Sequence, residues 1–102
     1  RKANEYAIDV PFEVANLCKR VIELVDILVE KGNPNSVSDA GVAAEVALAG
    51  LRGASRNVLI NLPSIDDEEY RSEKRKEIDG LIQAAEALHK IVYKKTLNII
   101  NK

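Results

Sequence analysis

The chain has 102 residues, 46% of them hydrophobic and 30% charged, with a formal net charge of -1. That is enough for one small domain or a piece of a larger one, and it gives no electrostatic case for nucleic acid or a membrane surface. Three Tyr and one Phe, with no Trp, offer no platform for stacking bases, and Glu23, Asp26 and Glu30 keep the best apolar stretch well short of the ~20 residues of a membrane span.

Residues 1–8 read as the last two turns of a helix that begins elsewhere. Such a stub is marginal in water and needs a docking partner. Pro11 suits the first turn of a new helix, where its missing N–H is no loss. From there Val14, Leu17, Cys18, Val21, Ile22, Leu24, Val25, Leu28 and Val29 follow the helical period, with Lys19, Glu23, Asp26 and Glu30 opposite. The pattern predicts one wide buried face. Cys18, the single cysteine, falls in this apolar pattern and reads as a small buried hydrophobe. With no internal disulfide and no basic-then-apolar leader in view, a reducing, cytoplasmic setting is expected.

Gly32 favours a left-handed helix end, and Pro34 prevents simple continuation. Ser36 followed by Asp39 has the spacing of a capping box, with Asp in place of Glu or Gln. A second helix is therefore predicted from about Val37 to Leu62, its free amides and positive dipole end facing the polar loop. Between Ala40 and Leu62 only Glu45, Arg52 and Arg56 are charged, and they share one strip. The rest is small or apolar all round, which marks a central helix. Asp39, Ala43, Val46, Gly50, Gly53 and Asn57 fall along one line of it. Each glycine there loses about 1 kcal/mol relative to Ala, so close packing of a backbone is expected, ahead of a flat ligand.

Pro63 and Ser64 end that helix, and the run Asp66 to Glu69 puts acids where a third helix would begin. This helix is predicted to reach about Ile100. Its opening, residues 71–77, is polar all round and reads as projecting into solvent or lying on another subunit. From Ile78 the apolar period returns. His89 lies on that apolar line, where a lone histidine is first of all a packed, hydrogen-bonded residue. The fold expected is an all-α antiparallel bundle of three long helices plus the N-terminal stub, forming a single segment over residues 1–102. The second helix is too apolar to be covered by two neighbours, so the chain is expected to associate.

No nucleophile triad, metal-ligand spacing or phosphate loop is present. Proton-transfer chemistry on a bound ligand stays open. Asp39 is the best-placed carboxylate for it, in the first turn of the second helix. Asn57 and Asn61, four residues apart, either bind the amide edge of a heteroaromatic ring or cap a neighbouring helix.

The stretch Gly32 to Ala43 resembles the signature of the formimidoyltetrahydrofolate cyclodeaminase/methenyltetrahydrofolate cyclohydrolase family. The agreement extends to Val10-Pro11-Phe12-Glu13-Val14-Ala15, to Arg52-Gly53-Ala54 and to Asn57-Val58-Leu59-Ile60-Asn61-Leu62. Members carry further helices and a Gly-rich loop ahead of the part seen here. The resemblance implies the C-terminal half of a folate-interconverting domain, completed by a missing N-terminal half and dimeric or larger. It implies cyclisation of N5-formimidoyltetrahydrofolate to the methenyl form with loss of ammonia, or hydrolysis of the methenyl bridge. Neither reaction calls for a metal or cofactor. By this resemblance Asn33, Asn35, Ser36, Ser38 and Asp39 line the pterin and reacting-carbon end. The chemistry of the residues, and not the resemblance, makes Asp39 and Ser38 the expected catalytic pair and Asn57 and Asn61 further expected substrate contacts. The competing expectation is a non-catalytic helical interaction module that keeps the core pattern and lacks the pocket.

Overall fold

The computed structural model describes residues 2–32 and 34–101, with side chains from residue 5 onward. Three long helices account for nearly all of it: α1 over Lys2–Glu30, α2 over Val37–Asn61 and α3 over Glu68–Ile100. A single 3-10 turn, Leu62–Ser64, joins α2 to α3. No strand occurs among the described residues. The helices run up, down and up in a rod of 54 × 19 × 16 Å.

The helix ends follow the local chemistry. Gly32 has φ +68°, and its N–H donates to the Val29 carbonyl at 2.9 Å, closing α1 with a left-handed residue. Asp67 caps α3, its carboxylate accepting from the Tyr70 N–H at 3.1 Å. Two local expectations change. Ser36 stands at the N-cap of α2 but makes no side-chain cap bond, so the capping box does not form. Its φ of -112° and ψ of -2° lie outside the extended region in which an N-cap hydroxyl reaches back over the first turn. The N-terminal stub and the first long helix are also one element, with Pro11 inside α1. Packing holds the turn around Pro11 in place: Ile8 and Ala15 on either side of it are fully buried, which outweighs the missing hydrogen bond of the proline.

The core is one cluster running the length of the rod. Ile8, Ala15, Ile22, Val25 and Val29 come from α1, Ala44, Leu48, Leu51 and Val58 from α2, and Ile78, Ala85 and Val92 from α3. Gly50 lets α1 approach closely, because a Cβ there would sit 3.0 Å from the Cys18 sulfur. Cys18 itself is half-buried and packs against the core. Polar ties lock α3 down. Arg52 pairs with Glu86 at 2.8 Å, and Lys95 donates to Asp26 at 2.8 Å while also pairing with Glu30. The hydrogen bonds from Lys95 to Asp26 and then Glu30 hold its ammonium charged and raise its pKa above the usual lysine range.

The polar opening of α3 does not project freely. The Lys74 ammonium lies 4.2 Å from the Phe12 ring centroid on α1, and Arg71 bonds the Ile65 carbonyl. These contacts fold the opening back onto the same chain.

The wide buried face expected for α1 is only partly buried. Val14, Leu17, Val21, Leu24 and Leu28 all remain exposed, Leu17 at 57% and Leu24 at 53%. The cause is geometric: α2 and α3 cover one side of α1, and no third neighbour covers the next. On α2 the same shortage leaves Val46 66% and Ile60 73% exposed. Apolar surface on this scale is rare on an isolated domain.

Candidate functional site

Helical rise sets the first constraint on any site. Asp39 and Asn57 share a line of α2, but 18 residues at 1.5 Å each put them about 27 Å apart along the axis. The structure therefore divides the expected site residues between the two ends of α2.

At the C-terminal end, Asn57 and Asn61 line a groove between α2 and the start of α1, with Tyr6, Val10, Pro11 and Gly50. The volume is about 480 Å³, within the usual range for a ligand site. Asn61 donates through Nδ2 to the Asn57 carbonyl at 2.8 Å. That amide N–H is bonded to its own helix and caps no neighbouring one.

At the N-terminal end, Ser38 lines a second groove, walled by Val37, Gly41, Val42 and Glu45 from α2 and by His89, Tyr93 and Thr96 from α3. Its volume is about 210 Å³, below the ~300 Å³ lower end for a ligand site. Its wall toward Val42 and Tyr93 is open to solvent. Gly41 forms part of the floor, with the Thr96 methyl 3.6 Å from where a Cβ would be. Asp39 is exposed and lies beside this groove, on the open face of α2 that continues through Ala43, Val46 and Gly53. Asn35 and Ser36 are exposed in the turn before α2. Asn33 lies outside the described residues.

The sequence reading placed His89 first as a packed residue and gave a catalytic role the lesser weight. In the structure it makes both an ionic and a ring contact in the N-terminal groove. Its Nε2 is 2.9 Å from Glu45 Oε2, and its ring stacks on Tyr93 with centroids 6.3 Å apart. The packed position expected for it is what the structure shows, with the Glu45 carboxylate at its edge. The nearest sequence signal for the pair was the charged strip of α2, and it named no partner on α3. Among the described residues no group of three or more His, Cys, Asp or Glu is arranged to hold a metal ion.

Comparison with known proteins adds the following. Residues 1–80 match the family described as formiminotransferase-cyclodeaminase. Over 101 residues the chain is 42% identical to a methenyltetrahydrofolate cyclohydrolase of Methylorubrum extorquens, covering 99% of this chain and 49% of that protein. It is 34% identical over 79 residues to a formimidoyltransferase-cyclodeaminase of Rattus norvegicus, covering 78% of this chain and 15% of that protein. A protein of the same name from Mus musculus is 33% identical over the same length. The chain thus spans about half the length of the first of these relatives and a smaller share of the others.

Proposed function

The chain belongs to the formiminotransferase-cyclodeaminase family, and we propose that it forms the C-terminal half of a helical domain that interconverts tetrahydrofolate derivatives. The substrate class is a one-carbon unit bridging two nitrogens of the folate. The reaction is hydrolysis of the methenyl bridge, or ring closure of the formimidoyl compound with release of ammonia. Either is proton transfer at one carbon, which asks for an acid or base and hydrogen-bond donors and calls for no metal or organic cofactor. The observation that carries this reading is the 42% identity to a methenyltetrahydrofolate cyclohydrolase across 99% of the chain. The Rattus norvegicus relative, at 34% identity, supports the cyclodeaminase variant.

On this reading the pocket lies at the N-terminal end of α2. Ser38 faces the groove, and Asp39, Asn35 and Ser36 form its rim as the chain enters the helix. Positive charge at the helix start favours an anionic or carbonyl oxygen there. Helices contributed by a complementary half, a second copy, or both close the groove and cover the exposed faces of α1 and α2. Asn57 and Asn61, at the far end of α2, then contact a different part of the ligand or the complementary half. A soluble, reducing cytoplasmic setting suits the single Cys18, and no described helix is long and apolar enough to cross a membrane.

The test uses Ser38→Ala and Asp39→Asn in the complete enzyme, with turnover and melting temperature measured on the same samples. The proposal expects turnover to fall by about a hundredfold or more while melting stays near wild type. Near-normal turnover by both variants would remove the pocket from this end of α2. It would leave the family membership untouched.

A further inference from the structure

The N-terminal groove holds His89 beside Glu45, a pairing that the sequence did not reveal. We infer that His89 is the group that moves protons at the reacting carbon and that Glu45 is the residue that positions it. This rests on the folate reading above. His89 lies beyond residues 1–80, so the family match itself assigns it no role.

The geometry is that of an imidazole oriented by a carboxylate. His89 Nε2 and Glu45 Oε2 are 2.9 Å apart, within ion-pair distance. A carboxylate beside Nε2 favours the proton on that nitrogen, which leaves Nδ1 as the one open to a ligand. No described residue bonds to Nδ1. The His89 side chain is 16% exposed, enough to reach a ligand while being held by its packing, and Glu45 is 55% exposed at the mouth. Stacking on Tyr93 limits rotation of the ring. Ser38 and the pair line the same groove, so the hydroxyl at the start of α2 and the imidazole address one ligand. A tie that served only to join α2 to α3 is already supplied one helical repeat away by Arg52 and Glu86.

For hydrolysis the step balances as follows. Water attacks the bridging carbon, its oxygen lone pair forming the C–O bond. The iminium π pair returns to nitrogen, and the water proton passes to His89 Nδ1. The imidazolium then gives that proton to the departing nitrogen as its bond to carbon breaks. The new hydroxyl releases its own proton to solvent as the formyl C=O forms. The Glu45 carboxylate beside Nε2 stabilises the imidazolium.

The experiment compares wild type, His89→Ala, His89→Gln and Glu45→Gln in the complete enzyme, with turnover followed by methenyltetrahydrofolate absorbance. Folding is checked by helical circular dichroism. Wild-type turnover is read first, and its absence would overturn the folate reading itself. Given wild-type turnover, His89→Ala should lose about a hundredfold or more in kcat, with KM little changed. Added imidazole should recover part of that rate. Glu45→Gln should lower kcat by less and leave KM unchanged. His89→Gln preserves size and hydrogen bonding, so it keeps the fold if the alanine variant does not, and it too should lose kcat. Folded His89→Gln with near-wild-type kcat overturns the assignment. So does folded His89→Ala whose lost rate imidazole fails to restore.

Discussion

The close approach of α1 to α2 at Gly50 can be weighed against a control on the same helix. Ala in place of Gly in a helix interior gains about 1 kcal/mol. At Gly53 a new Cβ would meet nothing within 4 Å, so Gly53→Ala should show that gain in full. For a chain of this size it corresponds to a rise of about 4–8 °C in melting temperature. At Gly50 the new Cβ would lie 3.0 Å from the Cys18 sulfur, which must retreat by several tenths of an ångström. Overpacking of this kind costs about 1–3 kcal/mol, so Gly50→Ala should range from neutral to about 2 kcal/mol destabilising. Cys18→Ala removes the sulfur. The double variant Cys18→Ala/Gly50→Ala should then regain the propensity benefit, with a coupling of about 1 kcal/mol or more. Denaturant unfolding followed by circular dichroism on the four members of the cycle, with Gly53→Ala alongside, reads all of this. Gly50→Ala as stabilising as Gly53→Ala, and additive with Cys18→Ala, would refute the packing argument.

Three further predictions concern stability. Because Ser36 makes no cap bond and Asp67 makes one, Asp67→Ala should cost about 1 kcal/mol and Ser36→Ala only a few tenths, measured as unfolding free energies. Leu51 is fully buried, and Leu51→Ala should lose about 2–5 kcal/mol by the same measurement. The pKa of Lys95 is raised on folding from the usual 10.5, so its tie to Asp26 and Glu30 is fully present below that pH and is lost as pH rises through the folded value. Melting temperature should accordingly fall more steeply above pH 10.5 in wild type than in Lys95→Met, and parallel curves would count against the tie.

The helix boundaries were legible because they are written in residues with one local preference. Gly32 takes the left-handed turn, Pro63 ends α2, and Asp67 caps α3. Pro11 was misread because proline favours a first helical turn, while burial of Ile8 and Ala15 carries α1 straight through it. Periodicity likewise identified the apolar positions of α1 but not which would be covered. Leu17 and Leu24 follow the period as well as Ile22 does, and only Ile22 has a neighbour over it. The division of the candidate site has a related cause. A helical wheel aligns Asp39 with Asn57 by angle and discards the axial distance between them. His89 was legible as a packed residue, whereas its pairing with Glu45 depends on the register of α3 against α2, which no local pattern encodes.

The central claim is that this chain is one half of a folate-converting domain, and reconstitution tests it most directly. The loss of methenyltetrahydrofolate absorbance is followed with this chain alone, with the complementary half alone and with the two mixed. The account predicts background rates for each part and enzymatic turnover for the mixture, in step with formation of a complex. A stable complex of the two halves that leaves the absorbance at its background decay would contradict it.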